Sequence, residues 1–315
     1  MKDFITLADL PDFNQTLDLA MKLKSQPTQW DALGKGKTLG LLFFNPSLRT
    51  RLSTQKAAQN LGLPTMVMNF SQESWALEFD DGTKMSGLRS EHVKEAAAVV
   101  SQYCDMVAIR AFASLSDKDK DEAEIVLRSF AKYATVPIIN MESATAHPLQ
   151  ALADAITLKE HPTSHKPKVV LSWAPHPKAL PHAVGNSFVK MMGQIDADFV
   201  IAHPEGYALS PKVTNGVKQT TDQEEALKGA DFVYAKNWCS YEQYGQILRT
   251  DEQWMITAEK MKLTNNGKFM HCLPIRRNIV ASDGVLDSPN SLVIQQSKNR
   301  IFSAQAVLKQ LLENG

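Results

Sequence analysis

Cysteine is scarce in this sequence. Its 315 residues include 3 cysteines, Cys104, Cys239 and Cys272, which lie far apart and form no C-x-x-C pair. An odd number of isolated cysteines supports neither a disulfide framework nor a thiolate zinc site. The H-E-x-x-H motif of zinc hydrolases is missing as well,. We therefore expect no metal ion in this protein.

The chain carries no excess of either charge. It has 34 Lys+Arg against 34 Asp+Glu, and its isoelectric point is near 7.1. This balance argues against a nucleic-acid-binding surface, which is strongly basic. No apolar run approaches the ~20 residues of a membrane helix, and the charged stretch Met1–Pro11 lacks the apolar segment of a signal peptide,. We expect a cytoplasmic protein that binds neither nucleic acid nor membrane.

Glycine-rich nucleotide fingerprints are also lacking. No G-x-G-x-x-G follows a predicted strand, which disfavours a dinucleotide-dependent oxidoreductase,. The segment Gly34–Thr38 (GKGKT) resembles a phosphate loop, but the spacing requires a glycine where Asp31 stands. This segment also precedes a strand, whereas a phosphate loop follows one. It is interpreted as a turn with solvated lysines.

What the chain does contain is a regular alternation of apolar strands and helices. Continuous apolar strands that alternate with helices are typical of parallel sheets covered on both faces, so the fold class is α/β with two doubly wound sheets. The predicted strands are Thr38–Phe44, Thr65–Asn69, Asp105–Arg110, Val136–Asn140, Lys168–Trp173, Asp198–Ala202, Asp231–Ala235, Lys268–Leu273 and Ser291–Ile294. The predicted helices between them are Thr50–Gly62, Glu91–Tyr103, Glu122–Tyr133, Leu180–Met192 and Gln223–Leu227.

The length predicts two domains, since about 150 residues per domain is a common value. The boundary is placed at a helix that starts at Pro148, which gives domains 1–147 and 148–297. A last helix runs from about residue 298 to the end and puts Ile301, Ala304, Leu308 and Leu311 on one face,. That apolar face predicts that the helix is packed rather than free.

The strongest local motif lies where a strand ends and a helix begins, at Ser47–Arg51 (SLRTR). Ser47 is a predicted helix cap, and the free N–H groups of a helix start attract anions. Arg49 and Arg51 add guanidinium groups, which bind phosphate oxygens in bidentate fashion. The alternative is an ordinary surface cap with two solvated arginines.

Two further motifs carry polar groups. In His147–Asp154 (HPLQALAD), His147 and Gln150 are three residues apart and share a helix face, so that both can point at one ligand oxygen,. In His271–Asn278 (HCLPIRRN), Leu273-Pro274 ends an apolar strand and leaves nearby carbonyls free to accept from an NH₂ group. Taken alone, the first motif is also compatible with a simple helix start.

Together the three motifs resemble those of the aspartate/ornithine carbamoyltransferases, in order and in spacing. The resemblance runs from about Phe4 to the last helix. It is closest to the branch that acts on N-acylated ornithine, through HCLPIRRN, SWAPHPKALP (Ser172–Pro181) and YAKNW (Tyr234–Trp238). The resemblance implies that the last helix returns to the first domain, that the chain forms a homotrimer with shared active sites, and that no cofactor is needed.

The resemblance also implies roles for individual residues. The catalytic group would be Arg49, Arg110, His147 and Gln150, of which His147 and Gln150 bind the carbamoyl group. Backbone carbonyls of Cys272 and Leu273 would accept from its NH₂, and Trp75 would reach the site of the neighbouring subunit. The residues implied to bind carbamoyl phosphate are Ser47, Leu48, Arg49, Thr50, Trp75, Arg110, His147, Gln150, Cys272, Leu273 and Arg300.

The second substrate is predicted from departures within the family. Lys236 stands at a strand end where ordinary ornithine enzymes carry an Asp, and a lysine repels a free α-ammonium, so an acylated amine is expected. Alternatively, Lys236 is merely solvated. The residues expected to bind the acylornithine are Glu142 at the δ-amine, His176 and Arg276 at the carboxylate and acyl oxygens, Lys236, and Ser90 near the acyl group.

Ser90 bears on the choice of acyl group. Acetyl-specific members carry Glu at the matching position and succinyl-specific members carry Pro. A small neutral hydroxyl leaves room for a second carboxylate, which a Glu would repel. The predicted reaction therefore converts carbamoyl phosphate and N-succinyl-L-ornithine to N-succinyl-L-citrulline and phosphate in arginine biosynthesis. The alternatives are N-acetyl-L-ornithine as substrate, Ser90 as a helix cap only, or a non-catalytic relative of the same fold.

Overall fold

The computed structural model describes residues 1–250 and 252–314, without the side chains of Ser71 and Asn314. The chain divides into two compact units. The first unit consists of Met1–Ser114, Asp119–Leu152 and the chain from Arg300 onward. The second consists of Leu115–Lys118 and Ala153–Asn299. The C-terminal helix thus ends within the first unit.

The first unit is built around a parallel sheet with the strand order β2-β1-β5-β6, and a short ribbon pairs β3 with β4. Its strands are β1 (Leu39–Phe43), β2 (Thr65–Asn69), β3 (Leu77–Glu78), β4 (Glu91–His92), β5 (Met106–Arg110) and β6 (Ile138–Glu142). The helices up to residue 160 are α1 (Phe13–Ser25), α2 (Leu48–Asn60), α3 (Phe70–Glu73), α4 (Val93–Tyr103), α5 (Lys118–Ala123), α6 (Ile125–Tyr133) and α7 (Pro148–Glu160).

The second unit is built around a parallel sheet with the strand order β11-β10-β7-β8-β9. Its strands are β7 (Lys168–Trp173), β8 (Asp198–Ala202), β9 (Lys218–Thr220), β10 (Phe232–Lys236) and β11 (Lys268–Met270). The remaining helices are α8 (Ala183–Met192), α9 (Pro211–Thr214), α10 (Gln223–Leu227), α11 (Ala258–Met261), α12 (Asp283–Leu286) and α13 (Val293–Asn314). Two parallel sheets with intervening helices confirm the predicted fold class.

Apolar strands explain why these sheets lie in the interior. Every residue of β1, β5 and β6 is buried, and so is every residue of β10. In contrast, β2 is the edge strand of the first sheet and alternates between half-buried and exposed residues. The carboxyl ends of parallel strands lie at one edge of their sheet, which is where such folds bind ligands. The candidate residues follow β1, β5 and β6 at this edge.

One predicted strand is wrong. Ser291–Ile294 contributes only an isolated bridge between Phe269 and Ser291, and α13 begins at Val293, five residues before the predicted start at Lys298. A short run of apolar and β-branched residues cannot be assigned from periodicity alone. Here the helix is favoured because Gln296 and Asn299 hydrogen-bond to α7.

The alternative in which Ser90 caps a helix is also wrong. The Ser90 N–H donates to the carbonyl of Ala76 at 3.3 Å, and Glu91–His92 pair with β3 as a short strand. Helix α4 begins only at Val93, where the Nδ1 of His92 accepts from the N–H of Lys94 at 3.2 Å. Ser90 is therefore exposed at the end of a ribbon and does not cap a helix.

The predicted helix Glu122–Tyr133 is interrupted. Glu124 has a φ of 48°, in the left-handed region, and separates α5 from α6. Its buried carboxylate accepts hydrogen bonds from the hydroxyls of Ser143 and Thr145. A residue with a left-handed backbone cannot continue an α-helix, so the helix breaks at Glu124. The bonds from Glu124 to the segment after β6 hold it in this conformation.

Candidate active site

The start of α2 forms an anion-binding geometry. The Oγ of Ser47 accepts from the N–H of Thr50 at 3.4 Å, so Ser47 caps the helix as predicted. The loop before it is tied to the segment after β5, because the N–H of Phe112 donates to Oδ1 of Asn45 at 2.6 Å. Arg49 lies half-buried in the first turn. A 13-residue helix with an ordered start presents N–H groups to an anion,.

A buried charge cluster lies beside this helix in the first unit. Arg110 and Glu142 end the neighbouring strands β5 and β6 and are register partners, and Nη1 of Arg110 forms an ion pair with Oε2 of Glu142. The same carboxylate oxygen is 3.4 Å from Nε2 of His147. The buried Nε of Arg110 has no hydrogen-bond partner among the residues that the structure describes. Since buried donors are nearly always paired, this N–H is suited to a ligand.

Arg300 brings a second guanidinium to the cluster from α13. Its Nη2 donates to Oγ1 of Thr50 at 2.7 Å and lies 3.4 Å from Nε2 of His147. Gln150 lies in the first turn of α7, which begins directly after His147, and it is almost fully buried. The first unit therefore brings together Thr50, Arg110, His147 and Arg300, with two guanidinium groups against one carboxylate. Such a surplus of buried positive charge favours a dianionic ligand.

Trp75 and Ser90 lie just before the two strands of the β3–β4 ribbon in the first unit. The indole Nε1 of Trp75 donates to Oε2 of Glu91 at 2.9 Å, yet 56% of the residue is exposed. Ser90 is exposed next to this pair. An exposed tryptophan and an exposed hydroxyl beside one ribbon are available to a molecule outside this chain.

The acylornithine candidates of the second unit gather around His176. The Nε of Arg276 donates to Nε2 of His176 at 3.3 Å, and the other ring nitrogen faces the carbonyl of Lys178 at 2.9 Å. The N–H of Lys178 also donates to this Nδ1 at 3.0 Å, so both ring nitrogens of His176 are held by neighbouring groups. Burial lowers the pKa of His176, and the positive charges of Lys236 and Arg276 lower it further.

Lys236 is buried rather than solvated. Only 7% of it is accessible, and its Nζ donates to the carbonyl of Asn237 at 2.8 Å. Its charge reaches His176 strongly enough to disfavour the protonated imidazole. Lys236, His176 and Arg276 thus form a positive group in the second unit, which suits a carboxylate ligand.

The segment after β11 holds Cys272 and Leu273 in an irregular conformation. Leu273 has a φ of 56°, in the left-handed region, and a cis bond joins it to Pro274. The N–H of Leu273 donates to Nδ1 of His271 at 2.8 Å. The N–H of His271 donates in turn to Oε1 of Gln296 at 2.9 Å. Gln296 was missed by sequence reasoning because it falls between the predicted strand Ser291–Ile294 and the predicted start of the last helix at residue 298.

Residues 1–250 and 252–314 contain no group of three or more His, Cys, Asp or Glu side chains that could hold a metal ion. No helix in the same ranges is both long and apolar enough to cross a membrane.

Two family models match the chain. The carbamoyl-P binding domain of aspartate/ornithine carbamoyltransferase matches residues 2–160, and the Asp/Orn binding domain of the same family matches residues 182–311. The chain is 48% identical to N-succinylornithine carbamoyltransferase of Bacteroides thetaiotaomicron over 99% of both proteins. It is 40% identical to N-acetylornithine carbamoyltransferase of Xanthomonas campestris over 88% of both.

A solved structure is similar over the whole chain. A glutamate-to-serine variant of N-acetyl-L-ornithine transcarbamylase, complexed with carbamyl phosphate and N-succinyl-L-norvaline, has a TM-score of 0.92 and 37% identity. The alignment covers 99% of this chain and 100% of the other. The shared fold therefore extends through both units.

Proposed function

The chain belongs to the aspartate/ornithine carbamoyltransferase family, and we propose that it carbamoylates the δ-amine of N-succinyl-L-ornithine with carbamoyl phosphate. The products are N-succinyl-L-citrulline and phosphate, and the reaction is a step of arginine biosynthesis. The family assignment made from the three sequence motifs is confirmed. The observation that carries the proposed chemistry is the buried cluster of Thr50, Arg110, His147 and Arg300 beside the start of α2.

The phosphate of carbamoyl phosphate binds to the first unit. Ser47, Leu48, Arg49 and Thr50 offer helix N–H groups, hydroxyls and a guanidinium to a phosphate dianion. Arg110, which pairs with Glu142, and Arg300, which lies 3.4 Å from His147, add positive charge. As phosphate leaves, its negative charge grows, and fixed donors that already point at it stabilise the transition state.

The carbamoyl group is oriented by His147 and Gln150. His147 and Gln150 donate to the carbonyl oxygen and draw electrons from its carbon, and Arg110 reaches the same oxygen. In the second unit, the carbonyls of Cys272 and Leu273 accept from the carbamoyl NH₂. The neutral δ-amine attacks the carbon, a C–N bond forms, the C–O bond to phosphate breaks, and the amine proton passes to the departing phosphate or to solvent.

The acylornithine binds to residues of both positive and negative charge. Oε2 of Glu142 faces Arg110 and His147, so Oε1 is the oxygen that accepts from the δ-amine. His176, Lys236 and Arg276 bind the α-carboxylate and the acyl oxygens. The burial of Lys236 supports this role, because an amine taken out of water requires acceptors, and a carboxylate ligand is one,.

Preference for succinyl over acetyl rests on Ser90 and on the relatives. Ser90 is small, neutral and exposed. The family resemblance implies that it matches the position at which acetyl-specific members carry a glutamate. The relative with higher identity acts on N-succinylornithine, and a transcarbamylase with a glutamate changed to serine was crystallised with N-succinyl-L-norvaline. A serine avoids repulsion between two carboxylates, which supports the same choice.

We also propose a cytoplasmic homotrimer with shared sites. Exposed apolar side chains lie along one edge of the first unit, on α2 and on the edge strand β2: Leu48, Leu52, Met66 and Met68. Exposed apolar patches of this kind are typical of subunit interfaces. Trp75 and Ser90 would then serve the site of a neighbouring copy. The three free cysteines fit a reducing compartment,.

The test is a ureido-product assay with carbamoyl phosphate and, in parallel, ornithine, N-acetylornithine and N-succinylornithine. We expect product with the acylated compounds and the most with N-succinylornithine. The Arg49→Ala variant is the matched control and should retain less than about a tenth of the wild-type kcat/KM, a loss above ~1.4 kcal/mol. Absence of product with every ornithine derivative would refute the proposed function.

A further inference from the structure

A chain of buried hydrogen bonds leads from α7 to the segment after β11, within the second unit. Asp154 and Gln296 are both 0% exposed, and Nε2 of Gln296 donates to Oδ1 of Asp154 at 2.6 Å. Oε1 of the same amide accepts from the N–H of His271, and Nδ1 of His271 accepts from the N–H of Leu273. Three consecutive bonds therefore join the carboxylate of Asp154 to the backbone of Leu273.

The direction of each bond is fixed by chemistry. A backbone N–H can only donate, so Oε1 of Gln296 has to face His271, and its Nε2 has to face Asp154. Oδ1 of Asp154 accepts from Nε2 of Gln296, which holds the amide in this orientation,. For the same reason, Nδ1 of His271 has to be the unprotonated nitrogen, which places the proton of the neutral ring on Nε2.

The end of this chain is a strained residue. Leu273 has a φ of 56°, a conformation that costs a β- or γ-branched side chain free energy and persists only where the surroundings impose it,. The bond from its N–H to His271 is one such constraint. The buried phenol of Tyr234 lies close to Asp154 and Cys272, and burial, followed by the negative charge of Asp154, holds its pKa well above the usual value.

We propose that Asp154 is a positioning residue, which through Gln296 and His271 fixes the backbone of Cys272 and Leu273 and so directs their carbonyls at the carbamoyl NH₂. The inference rests on the proposed function, in which these carbonyls bind the carbamoyl group. It means that the aspartate of the H-P-L-Q-A-L-A-D motif contributes to binding of the carbamoyl group and not of the phosphate. It also gives a role to Gln296, for which the sequence offered no motif.

The test is a swap of donor and acceptor. Gln296→Glu alone sets two carboxylates against each other and should raise the KM for carbamoyl phosphate at least about tenfold, the cost of one or two misplaced hydrogen bonds. Adding Asp154→Asn restores complementarity, because the new amide at position 154 donates to the new carboxylate at position 296, whose other oxygen accepts from His271. The double variant should return to within about threefold of wild type.

Inorganic phosphate separates positioning from general damage. Phosphate lacks the NH₂ group, so its inhibition constant should stay unchanged in every variant while the KM for carbamoyl phosphate moves. Thr157→Val is the matched control, since Asn299 donates to Oγ1 of Thr157 at 2.9 Å between the same two helices, one turn away. It should lower the melting temperature and leave the KM for carbamoyl phosphate unchanged.

Three outcomes would overturn the proposal. They are an unchanged KM for carbamoyl phosphate in Gln296→Glu, no recovery of that KM in the double variant, or a parallel rise of the inhibition constant of phosphate. If Gln296→Glu does not fold, Asp154→Ala decides, because it introduces no like charge: a raised KM for carbamoyl phosphate supports the proposal and an unchanged one overturns it. A wild-type protein that forms no ureido product refutes the proposed function instead.

Discussion

The guanidinium of Arg300 donates a hydrogen bond to the hydroxyl of Thr50 at 2.7 Å, across 250 residues of sequence. Thr50 lies in the first turn of α2, and Arg300 lies on α13, the helix that ends in the first unit. The same Nη2 lies 3.4 Å from Nε2 of His147. Three segments that are distant in sequence are therefore joined at one buried point.

From this relationship we predict that Arg300→Lys impairs phosphate binding more than folding. Lysine keeps the positive charge, but it lacks the planar guanidinium with which arginine can contact Thr50 and an anion at the same time. We expect kcat/KM for carbamoyl phosphate to fall about 10- to 100-fold, or ~1.4–2.7 kcal/mol. Steady-state kinetics with a thermal melt on the same samples measures both properties. Full activity, or a loss explained by unfolding, would contradict the role of Arg300.

The second prediction concerns the acyl group. Ser90→Glu introduces a carboxylate that repels the succinyl carboxylate, so the ratio of kcat/KM for N-succinylornithine to that for N-acetylornithine should fall about tenfold or more, ~1.4 kcal/mol. Ser90→Gln is the control, because glutamine has nearly the size of glutamate but carries no charge. An equal fall in both variants would mean that space, and not charge, sets the preference. An unchanged ratio in Ser90→Glu would remove Ser90 from the acyl pocket.

The third prediction concerns assembly. Leu52→Lys and Met66→Lys place charges on the exposed apolar edge formed by α2 and β2, so the proposed trimer should dissociate,. Both side chains are exposed in the isolated chain, and the free energy of unfolding of the monomer should change by no more than about 0.5 kcal/mol. Light scattering coupled to size exclusion gives the mass. Ile294→Lys, at an exposed position of α13, is the control and should leave the mass unchanged.

The fourth prediction is a pH dependence of stability. Burial lowers the pKa of His176 in the folded protein below its unfolded value of about 6.5,. As pH falls through 6.5, the unfolded chain binds a proton more readily than the folded one, so stability is lost on acidification. His176→Gln removes this titration and should lose less stability between pH 7.5 and 5.5 than wild type, measured by urea unfolding. An equal or larger loss in the variant would contradict the lowered pKa.

The correct sequence-based predictions depend mostly on local patterns. Ser47 caps α2 as expected, because capping depends on a few adjacent residues. Strands β2, β7 and β8 have the predicted bounds, since continuous apolar runs between helices leave little choice,. The family and the fold class are confirmed by the domain models and the structural match. The assignments of individual site residues remain proposals.

The errors arose where distant contacts outweigh local preference. Ser291–Ile294 has the composition of a strand, but hydrogen bonds from Gln296 and Asn299 to α7 favour a helix there. Ser90 precedes a helical pattern, yet its N–H pairs with the carbonyl of Ala76. The bond between Arg300 and Thr50 could not be read from either segment alone. Such contacts depend on the finished fold, which local composition does not encode.

A competition assay tests the central claim most directly. Equal concentrations of N-succinylornithine and N-acetylornithine are mixed with limiting carbamoyl phosphate, and both ureido products are quantified by mass spectrometry. The product ratio equals the ratio of the two kcat/KM values. We expect N-succinylcitrulline to predominate. An equal or larger amount of N-acetylcitrulline would contradict the assigned substrate, and the absence of both products would contradict the carbamoyltransferase activity itself.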